Sequence, residues 1–149
     1  MQTKVSFANS GLREYCTKYL KRMRPHVSSV VVVYDSAVPE YLLGQATAGV
    51  RDSGCNMKLI KAARGEKNKN VESAIQLAIK LLKAKVDRNS LVLAVGGGVT
   101  SDVTGFAASM TLRGVRWACL PTTLLSMVDA SIGGKTGVNA LGAKNMIGA

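Results

Sequence analysis

The segment GGGVTSD, residues 96–102, has the composition best suited to binding a phosphate. It follows directly on the apolar run Leu91–Val95, and a helical pattern runs from about Asp102 to Thr111. Glycines let the backbone turn tightly and approach a ligand closely, because no Cβ atom stands in the way. The N–H groups at the start of the following helix attract negative charge. The segment therefore predicts a site for the pyrophosphate of a dinucleotide.

A simpler interpretation of the same segment stays open. Written as Gly96-x-Gly98-x-x-Ser101, it approximates the dinucleotide-binding fingerprint, but the acidic residue expected about 20 residues later is missing. A plain glycine turn would use the same residues, and Asp102 would then cap the helix through its carboxylate. In a functional site, Asp102 would instead accept hydrogen bonds from a ribose or substrate hydroxyl.

The last third of the chain concentrates further polar groups. Thr122 and Thr123 stand where a strand pattern gives way to a helical one, and Asp129 precedes the stretch SIGGKTGVN (131–139). Its GGKT part is not a P-loop, because Asp129 replaces the earlier glycine of that motif and no strand precedes it. Two lysines and two amides remain in flexible, glycine-rich loops, which suit a carboxylate or phosphate ligand. An exposed basic loop is the alternative. The four residues are Lys135, Asn139, Lys144 and Asn145.

Strand and helix patterns alternate along the chain. The predicted strands are Ser29–Tyr34, Met57–Lys61, Leu91–Val95 and Arg116–Leu120, and the predicted helices are Val38–Asp52, Val71–Ala84 and about Asp102–Thr111. This order predicts an α/β fold, a Rossmann-like parallel sheet with helices on both faces. Ligands of such sheets bind at the carboxyl ends of the strands. The segments that follow the four strands are Asp35, Arg64–Lys69, Gly96–Asp102 and Pro121–Thr123.

Two helices have a recognisable apolar face. In the helix from residue 71 to 84, apolar side chains at helical spacing predict the buried face; they are Val71, Ala74, Ile75, Ala78 and Leu82. The first 24 residues hold six Lys/Arg and one Glu, a composition similar to a transit peptide. Apolar residues between Leu12 and Met23 fit an amphipathic helix as well. A cytoplasmic location is expected, with the plastid kept open.

The composition excludes several classes of protein. With 47% hydrophobic residues the chain is not disordered, and it lacks an apolar run of the roughly 18 residues that a membrane span needs. Its cysteines, Cys16, Cys55 and Cys119, lack C-x-x-C spacing and indicate free thiols. Residues 1–88 hold 16 Lys/Arg and 7 Asp/Glu, a net +9 of the total +11. Scattered lysines (58, 61, 67, 69, 80, 83 and 85) indicate a solvated surface and make nucleic acid an unexpected partner.

In this order and spacing, the motifs resemble those of 3-dehydroquinate synthases over roughly residues 29–149. The stretches that carry the resemblance are GGGVTSDVTGFAAS (96–109), LRGV (112–115), LPTTLLSMVDASIGGKTGVN (120–139) and KNMIG (144–148). The resemblance implies that residues 1–149 are an NAD-binding N-terminal domain. The family converts 3-deoxy-arabino-heptulosonate 7-phosphate into 3-dehydroquinate and phosphate. It uses NAD transiently, together with a divalent metal, usually zinc, that acts as a Lewis acid.

The resemblance also implies roles for particular residues. By this resemblance we expect Asp35, Glu66 and Lys69 near the adenosine half of NAD. We expect Gly97, Gly98, Val99 and Asp102 near its pyrophosphate and ribose. Further nucleotide contacts are expected from Thr122 and Thr123. Expected to hold the sugar phosphate substrate are Asp129, Lys135, Lys144 and Asn145. Arg113 matches an arginine that reaches the phosphate end of the substrate in the neighbouring subunit, which implies a homodimer.

Three departures from the family pattern bear on activity. Ser101 stands where glycine is usual and is expected to alter the approach to NAD. Residues 140–143 (ALGA) replace a stretch that commonly ends in glycine, so the Lys144 segment is expected to be less free. The family's metal ligands, one Glu and two His, lie in a helical C-terminal domain beyond residue 149. The single histidine, His26, is expected at a surface or helix end. The chain is thus expected to be an inactive fragment without that domain, with a metal only in the complete enzyme.

Two other functions stay open. A related sugar-phosphate cyclase that makes a different carbocycle, such as an epi-valiolone, shares parts of the pattern, although GGKTGVN followed by KNMIG resembles the dehydroquinate branch. A non-enzymatic module that binds a nucleotide or another anion would account for the net charge. In each case apolar residues near 124–132 are expected to be exposed and to favour association.

Overall fold

Continuous runs of valine and leucine build the centre of the fold. In the computed structural model, which describes Val5 and residues 11–149, the strands Ser29–Tyr34 and Leu91–Gly96 are almost completely buried. The elements in chain order are α1 (Leu12–Met23), β1 (Ser29–Tyr34), α2 (Glu40–Asp52), β2 (Asn56–Lys61), α3 (Val71–Lys83), β3 (Leu91–Gly96), α4 (Gly98–Met110), β4 (Arg116–Pro121), β5 (Gly137–Ala140) and β6 (Ala143–Gly148).

The main sheet has four parallel strands in the order β2-β1-β3-β4. Alternate residues of β1 face opposite layers. Val30 and Val32 pack with α1 and α2, whereas Val31 and Val33 pack with α3 and α4. Both faces are covered, which is why the central strands are apolar throughout. The predicted Rossmann-like α/β fold is confirmed, and its switch point, where successive connections leave in opposite directions, lies between β1 and β3.

The helix after the glycine segment begins earlier than predicted. Gly98 is its first residue and Gly97 its N-cap, so the start near Asp102 was wrong. Asp102 lies in the second turn, and its interpretation as the helix cap is wrong as well. Thr100 and Ser101 are 2% and 1% exposed, and their burial against the protein outweighs the low helix propensity of this segment.

Helix α3 ends within one residue of the prediction but buries a different face. Ala74 is buried as expected, together with Leu77 and Leu81. Ile75 and Leu82 are 42% and 49% exposed, so their prediction as core residues was wrong. Apolar residues occupy more than half of this helix's circumference. The spacing alone therefore could not show which side packs against α4 and β5.

The segment that was expected to form flexible loops near the C-terminus is an antiparallel hairpin. Strands β5 and β6 are joined by Leu141 and Gly142, which have φ angles of 52° and 76°. Two positive φ angles in a two-residue loop are typical of a type I′ turn. The loop prediction was wrong because the strands are short and contain glycine, so no alternating pattern marks them.

The structure confirms two predictions about exposed residues. Leu124 and Leu125 are 77% and 72% exposed, with Val128 and Ile132 also exposed, so the predicted apolar surface near 124–132 is confirmed. His26 is exposed at the end of a short 3₁₀ turn, Arg24–His26, as predicted. Among the described residues, none of the helices is long and apolar enough to cross a bilayer.

Helix α4 contacts its neighbours closely at Gly105. A Cβ atom there would clash with the Thr136 side chain and would lie 2.8 Å from Cζ2 of Trp117. We expect Gly105→Ala to lower the free energy of unfolding by about 1–3 kcal/mol, because the neighbours must move to admit the methyl group. Equilibrium urea unfolding measures this.

Gly44→Ala is the matched control. Gly44 lies inside α2, and nothing stands within 4 Å of an added Cβ atom. This change should raise the unfolding free energy by about 0.5–1 kcal/mol, since alanine favours the helix. Equal effects of the two substitutions would contradict the packing described for α4.

Candidate functional site

The end of β1 is tied to the start of α4 across the switch point. The Thr100 hydroxyl donates a hydrogen bond to Oδ2 of Asp35, and the Ala37 N–H donates to Oδ1 at 2.6 Å. Asp35 is 6% exposed. Its buried carboxylate therefore links the end of β1 to the start of α4. Thr100 donates the hydrogen bond that spans the switch point, although no pattern in the sequence marked this residue.

The glycine segment lies beside the end of β4. The Thr122 N–H donates to the Gly96 carbonyl at 2.9 Å. A Cβ atom on Gly97 would lie 3.3 Å from Cγ2 of Thr123, and one on Gly98 would lie 3.4 Å from Cβ of Ala130. Glycine therefore permits this close approach of two loops. The first N–H groups of α4 lack partners within the helix, and no side chain caps Gly97.

Val99, Thr122 and Thr123 make different contacts at this edge of the sheet. Val99 is half-buried and packs against the core on the α3–α4 side. The Thr123 hydroxyl accepts a hydrogen bond from the Ser126 N–H at 3.2 Å, which starts the π-helical turn Ser126–Ala130. Thr122 is half-buried beside the glycine segment.

A buried ion pair joins the loop after β2 to α4. Nζ of Lys69 lies 2.5 Å from Oδ2 of Asp102, and the two side chains are only 10% and 13% exposed. Burial raises the pKa of Asp102 above its ordinary value, and the hydrogen bond and charge of Lys69 offset part of that increase. The prediction of a solvated surface was wrong for Lys69. The other lysines of that set are exposed.

The β5–β6 hairpin carries Lys144 and Asn145 to the same edge. Between the pairs Val138–Ile147 and Ala140–Ala143, β5 contributes one residue and β6 contributes three. The three are Lys144, Asn145 and Met146, which form a bulge, and Asn145 has a φ of 54°. Bulges re-aim side chains and occur often beside functional sites. Lys144 and Asn145 are both exposed.

The hairpin is also attached to the Lys69 loop. The Asn139 N–H donates to the Lys69 carbonyl at 2.8 Å, and Nδ2 of Asn139 donates to Oε1 of Glu66 at 2.7 Å. The sequence indicated Asn139 only as one amide of a polar loop. Its contact with Glu66, 73 positions earlier, could not be read from local spacing.

Asp129 and Lys135 lie on the segment between β4 and β5, and both are exposed. Asp129 belongs to the π-helical turn and lies close enough to Asp102 for its charge to favour the protonated form of that group. Lys135 follows Gly133 and Gly134, whose φ angles are 94° and 69°. The positive φ angles explain the glycines at this turn.

Arg113 is not brought to this edge. It lies in the 3₁₀ turn Thr111–Arg113 after α4, at the end of the helix remote from Gly98. The 13 residues of α4 separate the two by about 20 Å. Leu112 and Arg113 both have positive φ angles, 52° and 66°, an uncommon conformation for non-glycine residues.

Ser101 is 1% exposed and does not reach the surface of the site. The Ser101 hydroxyl donates to the Gly98 carbonyl at 2.9 Å, so the side chain faces its own helical turn, and its position gives no support to an altered approach to NAD. Cys16, Cys55 and Cys119 are free, as predicted. Burial raises the pKa of Cys119 to about 12 and that of Cys16 to about 11. Neither thiol ionises at neutral pH.

A metal site needs several ligand side chains that lie close together. Within residues 11–149 and Val5, no three His, Cys, Asp or Glu side chains converge into a group that could hold one. The described part of the chain therefore supplies no metal site.

Solved structures with this fold define the class of protein. A 2-deoxy-scyllo-inosose synthase complexed with carbaglucose-6-phosphate, NAD+ and Co2+ matches 91% of this chain and 38% of its own, with a TM-score of 0.82 and 26% identity. The 2-epi-5-epi-valiolone synthase ValA of Streptomyces hygroscopicus, with NAD+ and Zn2+ bound, matches 100% of this chain and 41% of its own, with a TM-score of 0.76 and 29% identity. The chain has the nucleotide-binding fold of the sugar-phosphate cyclases.

Proteins of similar sequence show to which family within this class the chain belongs. The family model for the N-terminal part of 3-dehydroquinate synthase matches residues 59–149. The 3-dehydroquinate synthase of Rhodopirellula baltica is 42% identical over 97% of this chain, and that of Pelagibacter ubique is 38% identical over 99%. The chain belongs to the 3-dehydroquinate synthase family. It spans 38% and 39% of the lengths of these two relatives.

Removal of one partner tests the Lys69–Asp102 pair. Lys69→Met leaves the Asp102 carboxylate buried without its cation, and we expect the unfolding free energy at pH 7 to fall by about 3 kcal/mol. The folded-state pKa of Asp102 is raised, so the penalty for burying its charge is present above that pKa. The deficit relative to the wild type should therefore shrink as the pH falls from 7 through that raised pKa, because the carboxyl then protonates. Urea unfolding across this pH range measures it.

The control for that experiment is Lys67→Met. Lys67 lies two positions away and is exposed, so the change should alter the unfolding free energy by less than about 0.5 kcal/mol. A Lys69→Met deficit that stayed constant between pH 7 and pH 4 would contradict a role of the Asp102 charge.

Proposed function

We propose that the protein, in its full natural length, is a 3-dehydroquinate synthase that forms 3-dehydroquinate and phosphate from 3-deoxy-arabino-heptulosonate 7-phosphate. The observation that carries this proposal is the linkage at the carboxyl edge of the sheet. A glycine segment at the switch point, the Lys69–Asp102 pair and the bulge with Lys144 and Asn145 are joined by hydrogen bonds and an ion pair. Membership of the 3-dehydroquinate synthase family supports this choice of reaction.

NAD is the cofactor in this proposal. The N–H groups at the start of α4 bind the pyrophosphate, which can approach because Gly97 and Gly98 lack side chains. Asp102 accepts a hydrogen bond from a ribose hydroxyl, and Lys69 holds that carboxylate in position. Asp35 and Glu66 support the adenosine side, with Thr122 and Thr123 beside the glycine segment. NAD supplies reversible hydride transfer, which acidifies the C–H next to the oxidised carbon so that phosphate can leave.

The sugar phosphate binds near the hairpin. Lys135 and Lys144 offer cations on exposed, glycine-flanked segments, and such charges suit the carboxylate and phosphate groups of a heptulosonate phosphate. The Asn145 amide can donate to and accept from substrate hydroxyls. Asp129 accepts a hydrogen bond from another hydroxyl. Together these residues orient the substrate and hold its charges.

Arg113 requires a second subunit in this proposal. It lies at the opposite end of α4 from the glycine segment, so it reaches a substrate phosphate only in a neighbouring copy. We therefore propose a homodimer. We also propose, as a separate point, that the protein is located in the cytoplasm. The reaction also needs a divalent metal, whose ligands have to come from outside the described residues.

A different sugar-phosphate cyclase is the second candidate. The structural match to 2-deoxy-scyllo-inosose synthase, with its TM-score of 0.82, favours it. The higher identities to curated 3-dehydroquinate synthases, 42% and 38%, favour the first proposal. A non-enzymatic anion-binding role has only the net charge of +11 in its support.

The test is phosphate release by the full-length protein after removal and re-addition of NAD. We expect release from 3-deoxy-arabino-heptulosonate 7-phosphate, restored by NAD, and none from sedoheptulose 7-phosphate. Lys144→Met should lower kcat/KM by about 100-fold, because a substrate anion loses its cation.

The matched control is Lys83→Met. Lys83 is exposed at the end of α3, away from the carboxyl edge, and its removal should leave kcat/KM within about twofold. Turnover of sedoheptulose 7-phosphate alone would replace the first proposal by the second. Absence of turnover together with NAD-independent melting would favour the anion-binding role.

A further inference from the structure

Asn139 stands opposite the bulge that carries Lys144 and Asn145. It is the single β5 residue facing three residues of β6. A bulge interrupts the ladder of backbone hydrogen bonds and leaves N–H groups without strand partners. The Asn145 N–H donates instead to Oδ1 of the Asn139 side chain at 3.0 Å. The amide therefore supports the irregular backbone from within the hairpin.

The other end of the same amide reaches the loop after β2. Nδ2 of Asn139 donates to Oε1 of Glu66 at 2.7 Å, and the Asn139 N–H donates to the Lys69 carbonyl at 2.8 Å. Asn70 and Asn139 also form an isolated parallel bridge. The residue thus contacts the loop that carries the ion pair with Asp102 and the strand that carries Lys144.

An amide is the side chain that this position requires. It must accept from a backbone N–H on one side and donate to a carboxylate on the other, and asparagine offers both functions at a short reach. Aspartate could accept but would place a second carboxylate against Glu66. Alanine could do neither.

We propose that Asn139 is a positioning residue that couples the cofactor loop to the substrate-binding bulge, through Glu66 on one side and the Asn145 N–H on the other. This inference rests on the proposed function, since NAD is taken to bind next to Glu66 and Lys69. NAD that orders this loop then also orders the bulge, and the substrate site forms fully only after the cofactor has bound.

The test is hydrogen exchange of the Asn145 amide in the full-length protein, measured without NAD and with saturating NAD. In the wild type, NAD should slow this exchange. Asn139→Ala should speed exchange without NAD by roughly tenfold, since one hydrogen bond is lost, and NAD should slow it less than in the wild type, because only the backbone bond from Asn139 to Lys69 remains. Saturation with NAD separates the coupling from any change in NAD affinity.

A conservative pair of variants separates coupling from folding. Asn139→Asp keeps the acceptor for the Asn145 N–H, so exchange without NAD should stay within about threefold of the wild type, but the NAD effect should be reduced, as in Asn139→Ala. Glu66→Gln in the same protein provides a donor to the new carboxylate, and the NAD effect should return. Asn89→Ala, in the turn before β3, is the control and should behave like the wild type.

The outcomes distinguish the two proposals. A wild-type protein that shows no NAD binding overturns the proposed function and the coupling with it. Binding of NAD with equal slowing of exchange in the wild type and Asn139→Ala overturns the coupling alone. So does failure of the Asn139→Asp, Glu66→Gln double variant to recover the part of the NAD effect that Asn139→Asp loses.

Discussion

The buried pair of Lys69 and Asp102 is the interaction on which the geometry of the carboxyl edge depends. Two opposite charges that are 10% and 13% exposed must remain together, because either one alone would be costly to bury. The pair fixes the loop after β2 against α4. The backbone of that loop in turn holds the β5–β6 hairpin through the Lys69 carbonyl. The ion pair between the loop after β2 and α4 thus also determines where the β5–β6 hairpin lies.

The sequence predicted the layers of the fold well because its strongest signals are local. Short apolar runs such as Leu91–Val95 favour strands covered on both faces, and the loops that follow them lie together at one edge, as the general rule requires. The glycine segment was placed correctly for the same reason. Its helix was not bounded correctly, since the burial of Thr100 and Ser101 depends on tertiary packing.

The contacts within the site were beyond the sequence for a different reason. Asn139 and Glu66 are 73 positions apart, and no periodicity connects them. The bulge on β6 exists only relative to its partner strand, so Lys144 and Asn145 were expected in a flexible loop. Lys69 was grouped with solvated lysines because those lysines are scattered across predicted helix faces and turns. Long-range pairing, rather than residue type, decides each of these cases.

The roles proposed for the carboxyl edge of the sheet all depend on NAD binding there through the glycine segment. A crystal structure of the full-length protein with NAD tests it most directly. Pyrophosphate oxygens are expected about 3 Å from the first N–H groups of α4, with the adenosine half beside Glu66 and Lys69 and the nicotinamide toward the β6 bulge. A dinucleotide bound away from Gly97 and Gly98, or with its halves reversed, would overturn the proposed cofactor site.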